Sequence, residues 1–504
     1  MAQPKVQLPQ VPDVEWQDAQ FPFDGAWMPN SDASLIGPRN FATLTNLRYN
    51  DKSIEGVNGY SEFNTTALVD YDYIDNGIQL RTDRTPNSFT LVHAVDASGQ
   101  GRIYQNTTAP GSQGDFDSSS NFDINGNAYF ADTSLNLKAR FSFAPQSSVA
   151  YCNGEESMIY SGFENRIAAA FLQQDDATSY IKDVSEAMSS RLEDSYLTLP
   201  DGSFDELIVL TTRLIQGIKF YVKTANAAAG AMTVTYWDGD SWAAVANGSD
   251  GTDVGGDTLA QTGVYTFDHT NSVAKLKHYQ ELYLFAYKVT VAAGVSAEIY
   301  SLSVDPAFQP IQNVWDGVYR QPIQFQFYNA SGPAYEDYTL QVNQSSDLNA
   351  PIGAQIDGMT TSDFIYIMFE EQMSAIRLTF LGGLVNKVNS VLTIKYWDGD
   401  SWVALTATDG TSSASKTFNQ TGLVYWQPPT DEQKQTLFGS LGYAYQLSVS
   451  VQLTGTEGST AEVLIDLCAG IPKLSEVGAF DFPIMYKNRL MLCGFSSSGE
   501  GNRM

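Results

Sequence analysis

Residues 232–245 read MTVTYWDGDSWAAV, and residues 392–405 read LTIKYWDGDSWVAL. The seven letters YWDGDSW are identical at Tyr236–Trp242 and Tyr396–Trp402. In the second copy Leu392, Ile394 and Tyr396 alternate with Thr393, Lys395 and Trp397, the period of two that marks a strand. Asp238-Gly239 and Asp398-Gly399 supply the positive-φ step of a tight hairpin. Tyr236 with Trp242, and Tyr396 with Trp402, then flank the two turns as expected aromatic cross-strand pairs, with Trp237 and Trp397 beside them.

The repeat is wider than the hairpin. The first copy continues with DGT (250–252), QTG (261–263), YLFAYKVTV (283–291) and AEIYSLSV (297–304). The second continues with DGT (409–411), QTG (420–422), YAYQLSVSV (443–451) and AEVLIDL (461–467). The spacing drifts by a few residues in loops, as in duplicated domains. Each copy is the size of one β-sandwich, and two copies joined by an unlike linker are not a stacked solenoid.

Two other readings of YWDGDSW remain open beside the hairpin. Asp238, Asp240, Asp398 and Asp400 are candidate calcium ligands, although a helix–loop–helix calcium loop wants oxygen at its fifth position, where Trp stands here. Trp242 and Trp402 could instead stack on sugar rings with the aspartates accepting hydroxyl hydrogen bonds.

The chain has 504 residues, enough for several domains. Its formal charge is −29, which disfavours tight nucleic-acid binding. Cys152, Cys468 and Cys493 lie far apart, so neither a disulfide framework nor a Cys-based zinc site is expected. Only His93, His269 and His278 are present, too few for a His-rich centre. GxSxG, HExxH and Walker sequences are missing. Glu155-Glu156, Asp175-Asp176 and Glu370-Glu371 are adjacent pairs, which strand geometry sends to opposite faces. No catalytic residue and no cofactor is expected, and the chain reads as a non-enzyme. The N-terminus lacks a secretory pattern, and Leu282–Val295 is too short to span a bilayer.

The expected organisation follows. Residues 1–35 form an extended Pro-rich arm; 36–203 a β-rich platform with one helix near 183–193, capped by Asp183 or Ser185 and carrying Val184, Ala187, Met188, Arg191 and Leu192; 204–308 the first sandwich; 309–355 a connecting β segment that returns to the platform; 356–472 the second sandwich; and 473–504 one or more C-terminal propeller strands that form an incomplete blade. The fold class is all-β, with a partial or complete β-propeller-like platform and two inserted jelly-roll-like sandwiches.

Several stretches resemble tail nozzle or tail tubular proteins of short-tailed bacteriophages. NFATLTNLRYNDKSIEGVNGYSEFN (40–64) is similar to the opening of such proteins, and ARFSFAPQSSVAYCNGEESMIYSG (139–162) to one of their propeller blades. YWDGDSW with its DGT and QTG companions is similar to a sandwich module of phage virion proteins, and PIMYKNRLMLCGFSSSGEGNRM (483–504) to a strand leading into further blades. The resemblance implies a virion protein assembled in the host cytoplasm: a homo-oligomeric, hexameric ring that docks on portal or adaptor and other tail proteins. Double-stranded DNA would pass it without specific binding, and no membrane insertion is implied. The chain stops at Met504 with no evident closing blade, so a complete propeller would need further strands. A carbohydrate-binding host-recognition or extracellular protein is the alternative expectation.

Overall fold

The computed structural model describes residues 47–50, 53–56, 73–81, 88–95, 100–106, 130–131, 139–145, 147–154, 156–161, 164–174, 177–200, 205–270, 273–345, 352–454 and 463–495. The 1–35 arm and the last residues of the 473–504 segment lie outside them. The chain divides into two units, Met1–Thr65 and Thr66–Met504. In the smaller unit, Leu47–Asn50 and Ser53–Gly56 form an antiparallel hairpin.

The larger unit is all-β apart from helical turns. Its two repeats have one topology. In the first, a seven-stranded sheet runs in the order Ala177–Asp183, Ala169–Gln174, Glu206–Thr211, Leu282–Val291, Met232–Trp237, Trp242–Ala244, with Leu276–Tyr279 also paired to Leu282–Val291. A five-stranded sheet faces it, in the order Leu197–Leu199, Ala297–Pro306, Ile215–Thr224, Gly263–Thr266, Ser249–Asp250. In the second, the seven strands are Ala334–Asp337, Gln324–Asn329, Phe364–Phe369, Ser440–Val449, Leu392–Trp397, Trp402–Ala404 and the paired Lys434–Leu437. Its five-stranded partner runs Ala354–Gln355, Leu464–Pro472, Met373–Phe380, Gly422–Trp426, Ala407–Asp409.

Alternation of apolar residues sends one face of each sheet inward. Leu207, Val209, Tyr287 and Val289 meet Ile218, Phe220, Leu302 and Val304 in the first core. Ile365, Ile367, Tyr445 and Leu447 meet Ile376, Leu378, Val424 and Ile465 in the second. These two cores hold the sandwiches by burial of apolar surface.

The sandwiches start earlier than the repeated letters. Ala169–Gln174 pairs with Glu206–Thr211, and Gln324–Asn329 with Phe364–Phe369, so each sandwich takes strands from before positions 204 and 356. AAFLQQ and QFQFYN occupy the same place in the two folds while sharing almost no letters, so the repeat alone did not reach them.

The helix near 183–193 is shorter than its periodicity suggests, Ser185–Ser189. The Asp183 carboxylate accepts the Ser185 N–H, while Val184 occupies the N-cap position without a side-chain bond. Arg191 turns to φ +56°, so it and the exposed Leu192 lie outside the helix, whereas Met188 is buried under it.

The platform comprises two four-stranded antiparallel sheets. Tyr73–Arg81, Ser88–Val95, Gln100–Asn106 and Phe130–Ala131 form a meander; Arg140–Ala144, Ser148–Cys152, Ser157–Tyr160 and Gln309–Pro310 form the other sheet. They share a core of Leu80, Phe89, Leu91, Val149, Tyr151, Met158, Tyr160 and Phe308. The hairpin Phe480–Tyr486/Arg489–Phe495 lies against Arg140–Ala144 and Ser148–Cys152. Each four-stranded sheet is the size of a propeller blade, and among the described residues no sheet closes into a barrel.

Both sandwiches are insertions into this platform. The chain leaves after Ser157–Tyr160, builds the first sandwich, and returns as Gln309–Pro310 to pair with the strand it left. It leaves again after Gln312, builds the second, and returns at Glu476, which bridges to Gln312. Asn313 N–H donates to the Ser475 carbonyl and Val477 N–H to the Ile311 carbonyl. The Ser157 hydroxyl donates to the Gly478 carbonyl at 3.0 Å and accepts the Phe480 N–H at 3.1 Å.

The sandwiches also meet side by side. His278 stacks on Tyr283 at 4.1 Å and 8° and approaches Tyr425 at 5.2 Å. Tyr283 is buried there with Ala375 and Ile471. Arg377 pairs with Glu281, which also accepts the Tyr319 hydroxyl at 2.8 Å. Burial pushes the His278 imidazole down to about 3, so it is neutral in the seam.

Candidate functional site

In both hairpins the aspartate that opens the turn is engaged by the turn itself. Asp238 Oδ1 accepts the N–H groups of Asp240 and Ser241 at 2.8 and 2.7 Å, and Oδ2 accepts the Ser241 hydroxyl at 3.1 Å. Asp398 makes the same three bonds at 2.8, 2.7 and 3.1 Å. Backbone donors from Ser241 and Asp240, and from Ser401 and Asp400, hold both carboxyls below the usual carboxylate range. Gly239 sits at φ +114° and Gly399 at +108°, where a side chain is strained.

The direct aromatic pairs are Trp237–Trp242 and Trp397–Trp402, each edge-to-face at 5.6 Å. Tyr236 and Tyr396 stand opposite Ala243 and Val403, and they point to the sandwich interior, where Tyr396 is buried. The expected Tyr–Trp pairing is therefore displaced by one residue, and one residue changes the face.

Among the described residues no group of three or more His, Cys, Asp or Glu is placed to hold a metal ion. Asp240 and Asp400 follow their glycines on exposed turns. The three cysteines are free thiols, with Cys152 and Cys468 buried.

The other repeated letters are also structural. Asp250 and Asp409 accept the backbone and side-chain donors of Thr252 and Thr411. A Cβ on Gly263 would lie 2.2 Å from the Gly251 carbonyl, and one on Gly422 2.1 Å from the Gly410 carbonyl. The DGT and QTG loops touch backbone to backbone, which only glycine permits. Buried Asn226 and Asn386, which the sequence reading did not single out, each bind loop carbonyls and N–H groups from two sides. Their positions relative to DGT, once the copies are aligned, were the available signal.

Where the copies differ, chemistry can differ. The outer face of the first seven-stranded sheet carries a polar network beside an apolar cluster that includes Phe171, Ile208, Trp237, Trp242 and Tyr279. Lys288 Nζ lies 2.7 Å from Glu206 Oε1, Gln173 Nε2 donates to Glu206 Oε2 at 2.6 Å, and the Tyr279 hydroxyl donates to Gln173. Lys277 Nζ lies 3.2 Å above the Trp237 ring, and Lys288 approaches Trp242 at 5.3 Å.

In the second copy the strand registers put Tyr328 in the place of Gln173, Phe364 in that of Glu206, Tyr366 in that of Ile208 and Tyr335 in that of Ile181. Gln435 replaces Lys277, and Gln446 replaces Lys288. The outcome is a continuous aromatic layer. Tyr366 lies 6.2 Å from Tyr335 and from Phe364, 5.9 Å from Phe438 and 5.8 Å from Trp402. Tyr335 packs on Tyr328 at 4.9 Å and on Phe438 at 5.1 Å. Tyr335 is 54% exposed and Phe438 36% exposed. Gln446 Nε2 donates to the Tyr366 hydroxyl at 2.9 Å.

A cleft of about 1220 Å³ opens between the sandwiches, lined by Trp237, Asp238, Lys275, Lys277, Gln427 and Lys473 among others. The Gln427 amide crosses it to the Leu276 carbonyl at 3.3 Å. It joins the first hairpin to the second sandwich, and Asp238, Asp240 and Glu476 also stand in its lining.

No family model matches the chain, and no curated protein does. Among solved structures, a glycoside hydrolase 29 family member from an unknown rumen bacterium aligns over 57% of this chain and 42% of its own, at 11% identity and a TM-score of 0.16. Allantoicase aligns over 53% and 77%, at 11% identity and 0.18. An exo-beta-1,3-galactanase from Phanerochaete chrysosporium aligns over 79% and 81%, at 10% identity and 0.14. The chain thus spans less than half the length of that hydrolase, and scores at this level carry no argument about fold or activity.

Proposed function

We propose that the chain is a structural component of a bacteriophage tail, a nozzle or tube ring whose platform lines the route of DNA exit and whose sandwiches project from it. The observation that carries this reading is the double insertion: the first sandwich leaves and rejoins one platform sheet, and the second leaves just beyond that sheet at Gln312 and returns at Glu476, which bridges to Gln312. Such an arrangement suits a protein that builds a wall and displays modules. The sequence resemblance of 40–64 and 139–162 to tail proteins points the same way.

The charge of −29 fits this role. A wall of like charge lets DNA slide without gripping it, because binding by counterion release needs cations. The reading implies a homo-oligomeric ring that contacts portal or adaptor proteins, in a virion assembled in the host cytoplasm, with no catalytic step.

Negative-stain electron microscopy of the purified chain, paired with antibody labelling of phage particles that carry it, tests the reading. Rings with a central channel and label at the tail are expected. Label absent from the tail of such particles sinks the proposal.

A further inference from the structure

Lys288, Glu206 and Gln173 form a buried row of polar groups on the outer face of the first sandwich. They come from three neighbouring strands, Leu282–Val291, Glu206–Thr211 and Ala169–Gln174. Their exposures are 8, 6 and 3%, and the apolar cluster of Phe171, Ile208, Trp242 and Tyr279 lies beside them. Replacing a buried ion pair by apolar side chains is often neutral or stabilising. The second copy shows that this fold accepts such a change, since Tyr328, Phe364 and Gln446 hold the three matching positions. The topology therefore does not require the three groups.

Their order is that of a nucleophile, a proton carrier and an acyl group. Lys288 Nζ lies 2.7 Å from Glu206 Oε1. Gln173 Nε2 donates to Glu206 Oε2 at 2.6 Å. The Tyr279 hydroxyl donates to Gln173 Oε1 at 2.5 Å. One carboxylate thus touches both the amine and the amide nitrogen, and a hydroxyl polarises the amide carbonyl.

We propose that Lys288 and Gln173 join in an intramolecular isopeptide bond, made by the folded chain itself with Glu206 as proton carrier. The inference is independent of the tail reading.

The step balances without a co-reactant. Glu206 takes a proton from the Lys288 ammonium, a transfer that burial assists because it turns two charges into two neutral groups. The freed Nζ lone pair attacks Gln173 Cδ, and the carbonyl electrons move onto Oε1, where the Tyr279 hydroxyl donates. Glu206 hands its proton to Nε2. The carbonyl re-forms, the bond from Cδ to Nε2 breaks, and ammonia departs. The surplus proton on Nζ passes to Glu206 and leaves with ammonia as ammonium, so the carboxylate is restored. One C–N bond forms, one breaks, and nothing is oxidised or reduced. The product ties Ala169–Gln174 to Leu282–Val291 across the strand between them. It closes a loop spanning 115 positions (288 − 173), a link that restricts the unfolded chain.

Mass spectrometry of the purified full chain, denatured before injection, tests the inference. The chain should be lighter than its sequence by one ammonia. A tryptic digest should hold a branched peptide that joins the fragment bearing Lys288 to the fragment bearing Gln173, with no cleavage after Lys288. Lys288→Arg, which keeps a cation beside Glu206, and Glu206→Gln, which keeps the shape, should each restore the full mass and abolish the branched peptide. The second sandwich, with Gln446 in the place of Lys288, should give linear peptides only. A wild-type chain of full sequence mass overturns the inference, as does a loss of ammonia without the branched peptide. A loss of water that maps to Lys288 and Glu206 overturns it too, since Glu206 is then the acyl group. A cross-link that persists in Glu206→Gln removes the proton carrier and with it the mechanism.

Discussion

Gly239 and Gly399 illustrate what a single residue decides. At φ +114° and +108° each allows the chain to reverse between two tryptophans, and a Cβ at either position would press on a glutamine, Gln427 or Gln433, at 3.2 or 3.1 Å. Gly239→Val and Gly399→Val should each cost roughly 1–3 kcal/mol. Hydrogen exchange should show the lost protection in the affected sandwich only; equal loss in both copies would refute independent turns. Asp305 gives a pH dependence. Burial raises its carboxyl to about 7 against an ordinary value near 3.8, with Gln216 as hydrogen-bond donor. Glu432, buried beside Tyr445, is likewise raised to about 7. A raised acid favours the folded state most when protonated, so this contribution is full below about pH 4 and is lost as pH rises through 7. Asp305→Asn should therefore stabilise the chain at pH 8 and have less effect at pH 5, as read from chemical denaturation at the two values. The turn was legible in the sequence because Asp-Gly leaves the backbone few choices. The aromatic register was not, since Tyr236 and Trp237 are both good strand residues and only the sheet decides which faces the core.

At the scale of elements, duplication was visible where both copies keep the same letters, and invisible where they keep only the same shape. The hairpin and the DGT–QTG loops retain their residues because backbone contact and side-chain capping admit few substitutes. The strands Ala169–Gln174 and Gln324–Asn329 retain only an inward apolar alternation, which many sequences satisfy. The helix was overextended because Arg191 and Leu192 continue the period, while the left-handed turn at Arg191 stops it. Met188→Ala at its buried face should cost about 2–4 kcal/mol in denaturant unfolding. The seam between sandwiches was not legible, since its partners come from distant strands. His278 is held neutral there by burial, which depresses its pKa to about 3. A depressed base stabilises the fold above its ordinary value of 6.5, and that stability is lost as pH falls toward 3. Arg377→Ala should loosen the same seam. Fluorescence of Trp315, which packs there, should respond to both treatments before the cores unfold; a single transition under both would show that the seam and the cores are one cooperative unit.

For the whole molecule, the all-β class and the chain's return to the platform after residue 308 were expected from composition, short alternating runs and the repeat, while the strand that Gln309–Pro310 pairs with, Ser157–Tyr160, was not, because it lies far earlier in the chain. The bridge between Gln312 and Glu476 has a consequence for heredity. A segment whose two ends are neighbours can be removed, replaced or exchanged between genes while the rest of the protein keeps its path. Joining Gln312 to Glu476 through a short glycine link should give a chain that still folds its platform and first sandwich. The second sandwich is thus positioned to be traded as a cassette while the platform stays constant.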